Sequence, residues 1–151
     1  MGARRRAREL ALALLFQLEL GRARPENLLT RIEATLDLMT EAWQMPPDEV
    51  GKLRGPIEEF ARRLVEAYLA DAAAIDARIA ELAQGWSLER MPTVDRNVLR
   101  LALAEILHFE DVPIAASIDE AVDIAKMYST EDSGKFVNGI LGTLARARAS
   151  A

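Results

Sequence analysis

Apolar residues in this chain recur every three to four positions almost without interruption, and nowhere do they alternate long enough to suggest a strand. The first such stretch predicts a helix from about Arg5 to Gly21, where the glycine can end it. A second carries Leu28, Leu29, Ile32, Leu36, Met39 and Trp43 on one side and stops before Pro46-Pro47. After Gly55-Pro56 the period resumes with Ile57, Phe60, Ala61, Leu64, Val65 and Tyr68. It continues through Ile75, Ile79 and Leu82, with a break near Asp71. Gly85 and Pro92 frame a short connector containing Trp86.

From Val94 to about His108 the pattern is apolar on nearly every side, through Val98, Leu99, Leu101, Leu103, Ile106 and Leu107. A helix of that kind belongs at the centre of a bundle. After Pro113, "SIDEAVDIAKMY" offers Ser117 and Glu120 as a capping box, with Ile118, Ala121, Val122, Ala125 and Tyr128 as a buried stripe. The last helix, from about Ser133 to Arg148, buries Phe136, Val137, Ile140, Leu141 and Leu144. The expectation is an all-α fold of six to seven helices in two packed sub-bundles, divided near residues 1–70 and 71–151.

Charge sharpens this picture. Residues 1–8 carry four arginines and no acid, while the remainder holds 15 basic and 24 acidic side chains. A basic arm on an acidic body suits nucleic-acid contact, and equally a solubilising tail. With no cysteine among 151 residues, disulfides, zinc-thiolate sites and thiol nucleophiles are excluded. The arginine-rich start and short apolar runs predict neither a signal peptide nor a membrane span, so a cytoplasmic protein is expected.

Catalytic chemistry finds little to build on. His108 is the only histidine; Glu105 lies one turn earlier, but a metal site would need a second such pair. Asp119, Glu120 and Asp123 fall in the first turns of a predicted helix, where negative charge is favoured. "VGKL" at Val50 lacks the glycine and Ser/Thr of a phosphate loop, and no nucleophile–base pair stands out. No enzyme activity, metal or cofactor is expected.

Two stretches hold residues that a core does not require. On the first helix Arg4, Arg8, Leu12, Phe16 and Leu20 fall four apart, while Leu10, Leu14, Leu15 and Leu18 cover another arc. Leu12 and Phe16 are therefore candidates for a second apolar surface, suited to a partner or to self-association. The other stretch is "KMYSTEDSGKFVNG", from Lys126 to Gly139, with two of the chain's three lysines, Ser129, Ser133, Asn138, Tyr128 and Phe136. Lysines and small polar groups can hold phosphates and aromatics can stack on bases, although both rings also fit core stripes.

Along essentially its whole length the chain resembles the NusB family of bacterial transcription antitermination factors. The motifs are "ARRRARELALALLFQLEL", "VDRNVLRLALAEIL" and "VPIAASIDEAVDIAKMYSTEDSGKFVNGILGTLA"; the last, from Val112 to Ala145, is the most specific, and "EDSGKFVNGIL" alone suggests the family. From Gly21 to Ala80 only the helical pattern matches. The resemblance implies an all-helical fold of two sub-bundles that pairs with the ribosomal protein NusE. It also implies binding of the single-stranded boxA element in nascent ribosomal RNA, so that RNA polymerase reads through terminators. Carried over by position, the RNA surface involves Arg4, Arg5, Arg6, Arg8, Lys126, Tyr128, Ser133, Lys135, Phe136 and Asn138. The NusE surface involves Phe16, Asp95 and Leu12, with Phe16 lacking the hydroxyl a tyrosine would offer.

Asp132 is an acid inside the implied RNA surface, expected to cap the last helix and to repel phosphate. Two other readings compete. The same domain occurs fused ahead of a ribosomal-RNA cytosine methyltransferase, although no methyl-donor glycine motif is present. A helical adaptor without RNA contact is the other.

Overall fold

The computed structural model describes residues 2–149, and among them every regular element is helical. The seven α-helices are α1 (Ala3–Glu19), α2 (Ile32–Ala42), α3 (Pro47–Ala70), α4 (Ala72–Leu82), α5 (Thr93–His108), α6 (Ile114–Tyr128) and α7 (Glu131–Ala149). Short 3₁₀ turns cover Leu28–Arg31 and Leu88–Arg90. The chain divides into two compact units, Met1–Leu69 and Ala70–Ala151.

In the first unit, α1 buries Ala7, Leu10, Ala11, Leu14 and Leu15, as its leucine spacing requires. Gly21 ends it at φ +72, with Gly21 N–H donating to the Leu18 carbonyl and Arg22 N–H to that of Gln17. That hydrogen-bond pair is the left-handed helix stop for which glycine is the favoured residue. The same stop ends α2, but there Gln44 takes the left-handed position at φ 57. Its N–H donates to Glu41 and that of Met45 to Thr40.

The expected loop through Gly55-Pro56 does not exist. Helix α3 begins at Pro47 and runs through Pro56 to Ala70. Pro47 suits the first helical position, where its missing N–H costs nothing, and Asp48 and Glu49 suit the positive end of the dipole. Burial of Ile57, Phe60, Ala61, Leu64 and Val65 along α3 then outweighs the interior proline, and Arg54 pairs with Asp37 and Arg6 with Glu49, each at 2.7 Å. Asp71, at φ −133, marks the expected break before α4.

In the second unit α5 is the buried helix, packed against α4, α6 and α7, and the α6–α7 hairpin is its most extensive pairing. Two capping expectations need correction. Ser117 is not an N-cap: α6 starts at Ile114, directly after Pro113, and the buried Ser117 hydroxyl donates to the Glu105 carboxylate. Asp132 is not one either, because α7 starts at Glu131. The capping oxygen is that of Thr130, which accepts from the Ser133 N–H at 3.1 Å. Asp132 sits in the first turn, where its charge complements the helix dipole. None of the helices is long and apolar enough to cross a membrane.

Candidate nucleic-acid interface

The arginines of α1 do not act alike. Arg4 is exposed and Arg5 half-buried, but Arg6 and Arg8 are buried, at 7% and 8% exposure. Arg6 donates to Glu49 at 2.7 Å, and its guanidinium lies 5.6 Å from the centre of the Trp43 ring. Trp43 in turn donates from its indole nitrogen to Glu9 at 3.3 Å. Arg8 stacks on Phe60 of α3 at 5.3 Å. The expectation that all four arginines face RNA is corrected for Arg6 and Arg8, whose cations are held against aromatic rings inside the fold.

The apolar row is also interrupted. Leu12 is 4% exposed and belongs to the buried set, so it offers no second apolar surface. Phe16, one turn later, is half-buried, and Leu20 is exposed. Helix α1 is wider in its buried face than one arc of leucines suggested.

In the second unit, the turn between α6 and α7 carries the other expected group. Lys126, Tyr128, Asp132, Lys135 and Asn138 are all exposed there, Tyr128 at 43%. Tyr128 thus leaves the core stripe assigned to it. Ser133 moves the other way: it is buried, and its hydroxyl lies 2.8 Å from that of Ser129, so a surface contact for Ser133 is corrected. Phe136 is half-buried and meets Trp86 edge-on, with ring centres 6.3 Å apart and planes at 63°.

Gly134 makes room for a side chain of α6. A Cβ there would come within 2.6 Å of Lys126 Cγ and 2.8 Å of its Cε, so the lysine stem crosses directly over the glycine. The Lys126 ammonium then stands 3.9 Å from Glu131. A glycine inside a helix weakens it, and here it leaves room for the Lys126 stem to lie across α7.

Asp95 completes the local picture. It is 3% exposed, its Oδ1 has no hydrogen-bond partner, and it lines a cavity of about 240 Å³ with Trp86, Pro92, Asp132, Ser133 and Phe136. Burial raises its pKa above the ordinary carboxylate value, and a hydrogen bond from Ser133 opposes that only in part. Among the described residues no three His, Asp or Glu gather as metal ligands would. Glu105 faces Ser117, whereas His108 lies 3.3 Å from Asp71.

Sequence reasoning missed Thr130, Gly134, Trp86 and Phe60 as parts of these surfaces. Gly134, an interior helix glycine beside a capping position, was the one with a readable signal. Phe60 lies in the stretch matched by helical pattern alone.

Fold and surfaces together define a helical binding protein, with cationic and aromatic groups placed at helix ends. Its family is settled by comparison: the sequence model of the NusB family matches residues 5–146, and the chain belongs to the NusB family. It is 45% identical to transcription antitermination protein NusB of Heliobacterium modesticaldum, covering 95% of this chain and 63% of that protein. It is also 45% identical to NusB of Symbiobacterium thermophilum, covering 95% and 90%. Among solved structures, T. maritima NusB superposes with a TM-score of 0.76 at 40% identity, covering 95% of this chain and 90% of that one. Antitermination factor NusB, crystallised with NusE and double-stranded RNA, gives 0.74 at 27% identity, covering 96% and 97%.

Proposed function

We propose that this protein is a transcription antitermination factor of the cytoplasm that binds single-stranded boxA-type RNA together with NusE, within the antiterminating RNA polymerase complex. Its role is binding, not catalysis. The observation that carries the reading is the α6–α7 hairpin. A turn capped by Thr130, with the Lys126 stem laid over Gly134, carries Lys126, Tyr128, Lys135 and Asn138 exposed to solvent, where two cations, an amide and an aromatic ring suit an RNA strand. Arg4 and Arg5 supply further phosphate contacts from the first unit. Phe16 and the Asp95 cavity are the NusE-facing elements, and the chain's acidic balance suits a basic ribosomal partner.

Binding of a boxA-like single strand, a scrambled strand and a duplex, each with and without NusE at two salt concentrations, tests this. The boxA strand should bind tightest, NusE should tighten it, and log affinity should fall steeply with log salt. Equal affinity for the scrambled strand and no effect of NusE would overturn the reading.

A further inference from the structure

The cavity beside Asp95, about 240 Å³, is smaller than pockets that take whole small molecules and suits a single side chain. Its wall is uneven in charge. Asp95 and Asp132 stand on it, and among the described residues no basic side chain does. Asp95 is 3% exposed, and its Oδ1 is buried with no hydrogen-bond partner. The groups that hold its charge are the Ser133 hydroxyl and its own backbone amide, neither of them a cation. The adjacent Arg96 is turned instead to the carbonyls of Leu88 and Met91 and to the Thr93 hydroxyl. Glu131 and Lys126, 3.9 Å apart, offset each other.

The starts of α5 and α7 meet at this cavity and oppose its negative charge, with about half a unit each. Two carboxylates against two half-charges still leave roughly one negative charge uncompensated. Trp86 and Phe136 supply the aromatic wall. Their edge-on contact holds the indole in place, yet Trp86 stays 55% exposed. An indole is the best of the aromatic faces for a cation.

We propose that this cavity receives the guanidinium of an arginine from the basic protein partner, stacked on Trp86 and donating to Asp95 Oδ1. The inference rests on the NusE reading above, and goes beyond it by naming the occupant's chemistry and giving Trp86 a contact. Arginine fits better than lysine. Its planar fork stacks on a ring while its N–H groups reach carboxylates, and it gives up water more readily than an ammonium. Its several donors can serve Asp95 Oδ1 and the Asp132 carboxylate together. A nucleobase can also offer an amino group to an aspartate, but its phosphates would meet the excess negative charge.

The test uses the full chain as wild type, Asp95→Asn, Trp86→Leu and, as control, Glu89→Gln. Glu89 is an exposed acid of the neighbouring 3₁₀ turn and does not line the cavity. One arm measures NusE binding by calorimetry. A second follows the Trp86 indole N–H by NMR, assigned by its loss in Trp86→Leu. The probes are Nα-acetyl-arginine methylamide, its uncharged citrulline isostere, the lysine analogue and cytidine, all at one ionic strength. Asp95→Asn should weaken NusE binding by about ten- to a hundred-fold, the loss of one charge-assisted hydrogen bond. Trp86→Leu should weaken it by about three- to thirty-fold, and Glu89→Gln should match wild type. The arginine probe should shift the Trp86 signal at lower concentration than the citrulline probe, and Asp95→Asn should erase that preference.

Equal responses to arginine and citrulline in wild type, or a preference that survives in Asp95→Asn, overturn the cation site. A stronger response to cytidine would hand the cavity to RNA, and one to the lysine analogue would remove arginine as its occupant; either overturns the proposal. NusE binding that Asp95→Asn leaves unchanged, or that Glu89→Gln weakens equally, also overturns it, while the pairing with NusE stands. If NusE fails to bind wild type, the partner reading falls. An arginine preference that depends on Asp95 would then still uphold the cation site, and its absence would overturn it.

Discussion

Replacing Arg6 with alanine should destabilise the fold while leaving the salt dependence of RNA binding intact. Arg6 is 7% exposed and makes a 2.7 Å contact with Glu49, whose side chain is 35% exposed. Because Glu49 can rehydrate, the lost charge-assisted hydrogen bond is worth about 2 kcal/mol, inside the usual range for such bonds. The guanidinium, 5.6 Å from the Trp43 ring centre, adds roughly 1 kcal/mol as a desolvated cation–π contact. Against these stands the Arg6 Nε, buried without a hydrogen-bond partner, whose removal returns about 1 kcal/mol. The net loss is about 2 kcal/mol. For a chain of this length that lowers the melting temperature by roughly 4–8 °C. Thermal unfolding measures the first effect, and RNA titrations well below the transition measure the second. A double-mutant cycle with Glu49→Gln isolates the pair. If the melting temperature moves by less than about 1 °C while the salt slope flattens by about 0.7, Arg6 is a phosphate ligand and its burial has been misjudged.

Thr130→Ala should cost about 1 kcal/mol of stability through loss of the α7 cap, measured by urea unfolding; an unchanged midpoint would deny the capping role. Asp132→Asn, with Thr130 doing the capping, should barely alter stability and should tighten RNA binding by a few-fold; weaker binding would mean that Asp132 accepts from the RNA or orients a contact. Gln44→Gly should stabilise by about 1 kcal/mol, because the left-handed φ of 57 strains a residue with a Cβ; a lower melting temperature would contradict this. For Asp95, burial raises the folded-state pKa above 3.8, so the folded chain holds this proton more tightly than the unfolded chain, and stability is lost as pH rises through the folded value. Asp95→Asn should therefore be the more stable protein at neutral pH, with its advantage fading as the pH approaches 3.8, and a destabilised variant at neutral pH would sink the argument.

The all-helical fold was readable because burial follows a period that the sequence displays. Leu99, Leu103, Ile75 and Ile79 sit fully buried where their spacing put them. Boundaries were harder, since caps depend on which of several polar residues the chain geometry selects. Thr130, Asp132 and Ser133 all resemble caps in sequence, and only the start of α7 at Glu131 decides among them. Pro56 misled for a related reason. Local propensity argues against a helix through Gly55-Pro56, whereas tertiary burial of Ile57, Phe60, Ala61, Leu64 and Val65, with partners distant in sequence, keeps α3 continuous there.

The surfaces were less legible, and the arginine cluster shows why. Four cations within five positions read as one feature, yet each helical residue advances the direction of its side chain by about 100°. Arg4 and Arg8, four apart, both reach Phe60, while Arg6, about 200° from Arg4, turns to Trp43 and Glu49. What each cation does is then set by the partner on α3 or at the end of α2, in the region of the chain with the least informative sequence. Local charge density marks where a helix can meet an anion. The division of labour among its arginines, between holding α3 in place and facing a ligand, follows from the aromatic rings they land on.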